Sequence, residues 1–106
     1  MPGTFTPKVL ADGQLASTKS TLYTVPASTS AYIKEITFYN TNASSQTIAL
    51  YVKPGATSRQ IARYVLAQNE WAIFDFSTVL ETGDLIEASS TNATAVDYVI
   101  TGLEET

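Results

Sequence analysis

Residues 22–55 read LYTVPASTSAYIKEITFYNTNASSQTIALYVKPG, and this stretch decides the fold. Pro26 and the polar ASTS run that follows it end one extended segment. AYIKEITFYN (31–40) then alternates, with Tyr32, Ile36 and Phe38 on one parity and Ile33, Glu35, Thr37 and Tyr39 on the other. Apolar side chains on both parities describe a strand buried on one face and partly covered on the other. TNASSQ turns the chain into TIALYVK (47–53), where Ile48, Leu50 and Val52 share one face and Ala49, Tyr51 and Lys53 the opposite one. Pro54-Gly55 reverses the chain again. β-branched and aromatic residues at period two, separated by Ser/Asn/Pro/Gly turns, specify strands.

Working outward, turn signals recur at the 8–12-residue spacing of an antiparallel sandwich or barrel. RQIARYVLA (59–67) has a pattern that a helix also satisfies, but its Ile, Val and Tyr favour a strand. WAIFDF (71–76) sets Phe74 and Phe76 opposite Ile73 and Asp75. STVLETGDLIEASS (77–90) reverses at Gly83-Asp84, a natural place for positive φ. TAVDYVITG (94–102) alternates Val96, Tyr98 and Ile100 against Asp97, Val99 and Thr101. About eight strands, no helix of consequence and no internal repeat predict an all-β fold. The expected form is an antiparallel β-sandwich, jelly-roll-like, with a closed barrel as the alternative.

Residues 1–18, MPGTFTPKVLADGQLAST, hold Pro2, Gly3 and Pro7 and show no sustained period. They are expected to form an extended N-terminal arm, with a short hairpin at Asp12-Gly13, or a frayed end, ahead of a sandwich domain at 19–106.

Composition narrows the chemistry. The 106 residues fit one domain of modest stability, for which docking or oligomerisation is an advantage. No cysteine is present, so no disulfide or thiolate chemistry is available. No histidine is present either, which removes the commonest general base and transition-metal ligand. A net charge of −4 supplies no positive field for a phosphate backbone, so direct nucleic-acid binding is not expected. No apolar run is long enough to span a bilayer and the N-terminus lacks a signal-peptide core, so a soluble chain made in a cytoplasm is expected.

Three groups of residues bear on chemistry. Two of Glu35, Asp75, Asp84, Glu87 and Asp97 would have to converge in a cleft to act as a catalytic pair, whereas carboxylates at alternate strand positions usually mark a solvated face. Asp84 with Glu81 or Glu87 has the donors for calcium, although a turn aspartate ordinarily bonds its own backbone. Tyr32, Tyr39, Tyr51, Tyr64 and Trp71 either pair across strands or form a sugar-stacking platform. By parity Tyr39 and Tyr51 are exposed and suit a protein contact. The sequons at Asn42 and Asn92 fall in turns and read as chance matches.

The runs TLYTVPASTSAYIKEITFYNTNASSQTIALYVKPG and YVLAQNEWAIFDFSTVLETGDLIEASS, in that order, resemble small structural proteins of tailed bacteriophages across about residues 20–102. The first 19 residues depart from that pattern. The resemblance implies a β-sandwich virion component that decorates the head or builds the tail by adhesion to other subunits. A non-enzymatic capsid decoration or cement protein is therefore expected, needing no cofactor and no metal. It would bind the major capsid protein lattice on the capsid surface as a homo-oligomer, expected to be a trimer because copies around a capsid symmetry axis gain avidity by touching each other as well as the shell. Phe5, Val9 and Leu10 of the arm, with Tyr39 and Tyr51, are the expected protein interface. A tail or baseplate protein and a carbohydrate-binding module of a receptor-binding fibre are the alternatives.

Overall fold

The structure, a computed structural model, describes residues 3–106 apart from the side chain of Phe76. Eight strands follow in order: β1 (Phe5–Gln14), β2 (Ser20–Thr24), β3 (Ser30–Asn40), β4 (Gln46–Lys53), β5 (Arg59–Leu66), β6 (Trp71–Leu80), β7 (Leu85–Ser89) and β8 (Val96–Glu105). They form two antiparallel sheets, sheet 1 in the order β1-β8-β3-β6 and sheet 2 in the order β2-β7-β4-β5. β1 pairs with β8, β2 with β7, β3 with β6 and β4 with β5. The chain is thus one long hairpin, bent between β4 and β5 and rolled so that successive pairs alternate between sheets. This is a jelly-roll sandwich, as the turn spacing predicts, and not a closed barrel.

The two inner faces meet in a core where Ile33, Ile36 and Phe38 of β3, Ile48 and Leu50 of β4, Ile86 of β7 and Ile100 of β8 are each at most 1% exposed. Burial of this kind is the main favourable term in folding. RQIARYVLA lies mostly in β5, which settles its ambiguity in favour of a strand. WAIFDF and STVL are a single strand, β6. The expected positive φ is found at Gly83, at 88°.

Sheet 1 is bulged along one line. Leu10 is the extra residue of β1 against β8, and Lys34 is the extra residue of β3 against β8. Two residues of β6, 76 and 77, oppose Lys34. A single inserted residue moves every later side chain to the other face. Ile33 is therefore buried together with Ile36 and Phe38, while Tyr32 joins Glu35, Thr37 and Tyr39 outside. This corrects the simple alternation, which placed Tyr32 with Ile36. The pairing of Phe76 with Phe74 lies outside the described residues, but Phe74 itself packs edge-on against Phe38, with ring centroids 5.8 Å apart.

The N-terminal segment is also corrected. Residues 5–14 are β1, the edge strand of sheet 1, and Asp12 and Gly13 lie opposite Val99 and Tyr98 instead of forming a hairpin. Leu15 is 1% exposed and belongs to the core. Proline at position 7 is compatible because of the pairing phase. Thr4 and Thr106 exchange backbone bonds of 2.9 and 3.0 Å, so Thr6 and Lys8 continue the bonded positions and Pro7 points its nitrogen away from β8.

Candidate functional site

The outer face of sheet 1 is built by the residues that the bulges leave outside. Reading across β1, β8, β3 and β6, one row is Pro7, Leu103, Tyr32 and Val79, and the next is Val9, Thr101, Glu35 and Asp75. Then come Asp12, Val99, Thr37 and Ile73, and finally Gln14, Asp97, Tyr39 and Trp71. Among the described residues ten large hydrophobics are exposed, and seven of them, Phe5, Val9, Tyr39, Trp71, Ile73, Val79 and Val99, lie on this sheet. Trp71 is 60% exposed. Scattered exposed apolar residues are ordinary, but here they collect on one face, Phe5 and Val79 toward one end and Tyr39, Trp71, Ile73 and Val99 toward the other, with the polar row of Thr101, Glu35 and Asp75 between.

The face is held in shape by its own contacts. The Phe5 ring lies 5.8 Å from that of Tyr32, tilted by 54°. The Tyr32 hydroxyl donates to Glu105 Oε1 at 2.9 Å, and that bond raises the tyrosine's pKa above its ordinary value. Tyr39 donates to Asn69 Oδ1 at 3.1 Å, and Asn69 adopts a φ of 61° in the turn before β6.

The structure gathers some of the predicted interface residues and separates others. Phe5, Val9 and Tyr39 share this face. Leu10 sits at the β1 bulge, half-buried and packed against the core. Tyr51 belongs to sheet 2, half-buried, with the Lys19 amine 4.9 Å from its ring centroid. Ile73, Val79 and Val99 were not anticipated. A signal was present, because Ile73 shares its parity with Asp75 and Val99 shares its parity with Asp97 and Thr101.

The carboxylates sort into distinct roles. Glu35 and Asp75 face each other across β3 and β6 on the exposed side. Asp84 accepts from the backbone N–H groups of Gly55, at 3.0 Å, and Glu81, at 2.9 Å, as an ordinary turn aspartate does. Glu87 accepts from Ser58 at 2.7 Å. Glu104 is buried at the side where β1 and β2 meet. It accepts from the Tyr23 hydroxyl at 2.6 Å and from Lys8 at 3.1 Å. No group of three potential ligands is placed to hold a metal among the described residues. An apolar groove of about 260 Å³ lies between β5 and β6, lined by Val52, Pro54, Arg59, Ile61 and Thr78.

No protein-family model matches the chain, and no curated protein matches it. Among solved structures, the chain is similar to one from the disulfide-linked pili of Bacillus endospore appendages. The TM-score is 0.55 and the identity 21%, over 98% of this chain and 89% of that one. It is also similar to a chain in the structure of infectious bursal disease virus, Gt strain. There the TM-score is 0.54 and the identity 12%, over 97% of this chain and 31% of that one. At these identities the likeness is one of fold.

Proposed function

We propose that this chain is a structural subunit of a virion coat, specifically a head decoration protein of a tailed bacteriophage, which acts by adhesion and transforms no substrate. The observation that carries this reading is the concentration of seven exposed large hydrophobics on the outer face of sheet 1. A stiff sandwich presents that face preorganised, so docking sacrifices little conformational entropy. The jelly roll is a fold that a pilus subunit and a virus chain also use, which supports an assembly role. Lacking cysteine, this chain would join its neighbours without disulfides.

The partner is the major capsid protein lattice, and copies grouped in threes around a symmetry axis would add avidity. Purified particles provide the test. The chain should be recovered from them at hundreds of copies, and recombinant chain should add back to heads lacking it. Recovery at dozens of copies or fewer would move the assignment to the tail or baseplate. Absence from particles would refute it.

One feature favours a second reading. Gln14, Asp97, Tyr39 and Trp71 form a row in which two exposed aromatic rings adjoin an amide and a carboxylate, the makings of a sugar-stacking platform. Saturable quenching of Trp71 fluorescence by host polysaccharide would support it, and an unchanged spectrum would dismiss it.

A further inference from the structure

The two sheets carry opposite charge. The strands of sheet 1 hold six carboxylates, Asp12, Glu35, Asp75, Asp97, Glu104 and Glu105, against Lys8 and Lys34, a formal charge of −4. The strands of sheet 2 hold Lys53, Arg59 and Arg63 against Glu87, a formal charge of +2. Little of this is neutralised internally, because the one ion pair among the described residues is Lys8–Glu104. Glu35 and Asp75 sit directly opposite each other, an arrangement that is unfavourable until a cation approaches.

The apolar surface is divided along the same line. Among the described residues, the three exposed large hydrophobics that are not on sheet 1, namely Ile61, Tyr64 and Val65, are all on the edge strand β5; Val65 shares the outer side with exposed Arg63, opposite Thr47 and Ala49, whereas Tyr64 lies opposite the buried Ile48. The groove lined by Ile61 and Arg59 adjoins them. One surface is thus apolar and acidic, and the other apolar and basic.

We infer that two copies of this chain bind head to tail, the outer face of sheet 1 in one copy against the β5 surface of sheet 2 in the next. The inference rests on the adhesive reading above and names a second copy as a partner of the same face. Two copies meeting sheet 1 to sheet 1 would set Glu35, Asp75 and Asp97 against their own counterparts, which like-charge repulsion disfavours. The heterologous contact pairs them with Arg63 and covers Val65, which lie opposite Ala49 and Thr47 on the outer side of β5, with Arg59 and Ile61 along the adjoining edge groove. Because the two surfaces differ, the contact repeats, giving a ring if the rotation closes and a filament if it does not.

The test uses two variants with substitutions at exposed positions, Ile73→Arg on sheet 1 and Val65→Asp on β5. Analytical ultracentrifugation of the wild-type chain should show concentration-dependent association, weakened several-fold on going from 50 mM to 500 mM NaCl. Each variant alone should be monomeric. Mixed, they should form a species of two chains and nothing larger, since each retains the surface that the other has lost. That mixture also shows both variants to be folded. A wild-type chain that stays monomeric at millimolar concentration overturns the inference, as does a Val65→Asp variant that dimerises by itself through sheet 1. The result is read on purified protein alone, so it is independent of whether the chain is found in phage particles.

Discussion

The Tyr23 hydroxyl of β2 lies 2.6 Å from Glu104 Oε2 of β8 and ties the two sheets together at their closed side. Lys8 of β1 completes the group at 3.1 Å from Oε1. The bond from Tyr23, supported by Lys8, holds Glu104 below the usual carboxylate pKa against the opposing effect of burial. Burial first, and then the bond to Glu104, pushes Tyr23 well above the ordinary phenol value.

The pH dependence follows from these directions. A carboxyl with a depressed folded pKa adds stability above the unfolded value of about 4.3, and that stability is lost as pH falls through the folded value. A phenol with a raised folded pKa adds stability that is present below about 10 and is lost as pH climbs above it. Urea unfolding of the wild type should therefore show a falling midpoint below pH ~4 and again above pH ~10. Tyr23→Phe should cost about 1.5–3 kcal/mol near neutrality and flatten the alkaline limb. An alkaline limb unchanged by the substitution would contradict the assignment.

Gly102 faces the β3 bulge, and a Cβ built there would collide with the backbone carbonyl oxygen of Tyr32. Neither strand can yield easily, since β8 is flanked on both sides. Gly102→Ala should lower stability by about 2–3 kcal/mol, a drop in Tm of roughly 10 °C. Differential scanning calorimetry reads this directly, and a shift of a degree or less would show that the bulge is pliable.

Asn40 closes one end of the sandwich. Its buried amide donates to the carbonyls of Ser44, Leu66 and Ala67, and its Oδ1 accepts from the Asn42 backbone. Asn40→Leu would leave those carbonyls without their donor at a cost of about 3 kcal/mol, whereas Asn42→Ala, removing one exposed bond to Ser44, should cost under about 1. Equal denaturation midpoints for the two variants would contradict this ranking.

Removing residues 1–14 deletes β1 and uncovers the edge of β8, with Glu104 deprived of Lys8. An uncovered inner strand is a template for non-native pairing. The truncated chain should be largely insoluble or lose its cooperative unfolding transition. A soluble chain with an unaltered midpoint would show that the segment is dispensable to the fold.

Trp71 is the only tryptophan of the chain and is 60% exposed. Its emission in dilute solution should be red-shifted and strongly quenched by iodide. Assembly that covers sheet 1 should shift the emission to the blue and protect it, and quenching that stays the same in the assembled state would place the contact elsewhere.

Period-two patterning and turn chemistry were enough to reveal the strands, the all-β sandwich and the reversal at Gly83, because side-chain parity and glycine's access to positive φ are local properties. They could not reveal the bulges, which exist only as offsets between neighbouring strands, and so Tyr32 was assigned to the wrong face. The same limit hid β1. Proline and glycine looked like an arm until pairing with β8 showed that Pro7 sits where no donor is needed. The exposed apolar face of sheet 1 was half-legible for the same reason. Phe5, Val9 and Tyr39 were within reach of local reading, but their convergence with Trp71, Ile73, Val79 and Val99 depends on β1, β8, β3 and β6 being neighbours. The chain alone determined which residues are apolar and which carry charge. Only the rolled topology decided that the acidic β6 and β8 would share one sheet and the basic β4 and β5 the other, since strands distant in sequence become adjacent through long-range hydrogen bonding.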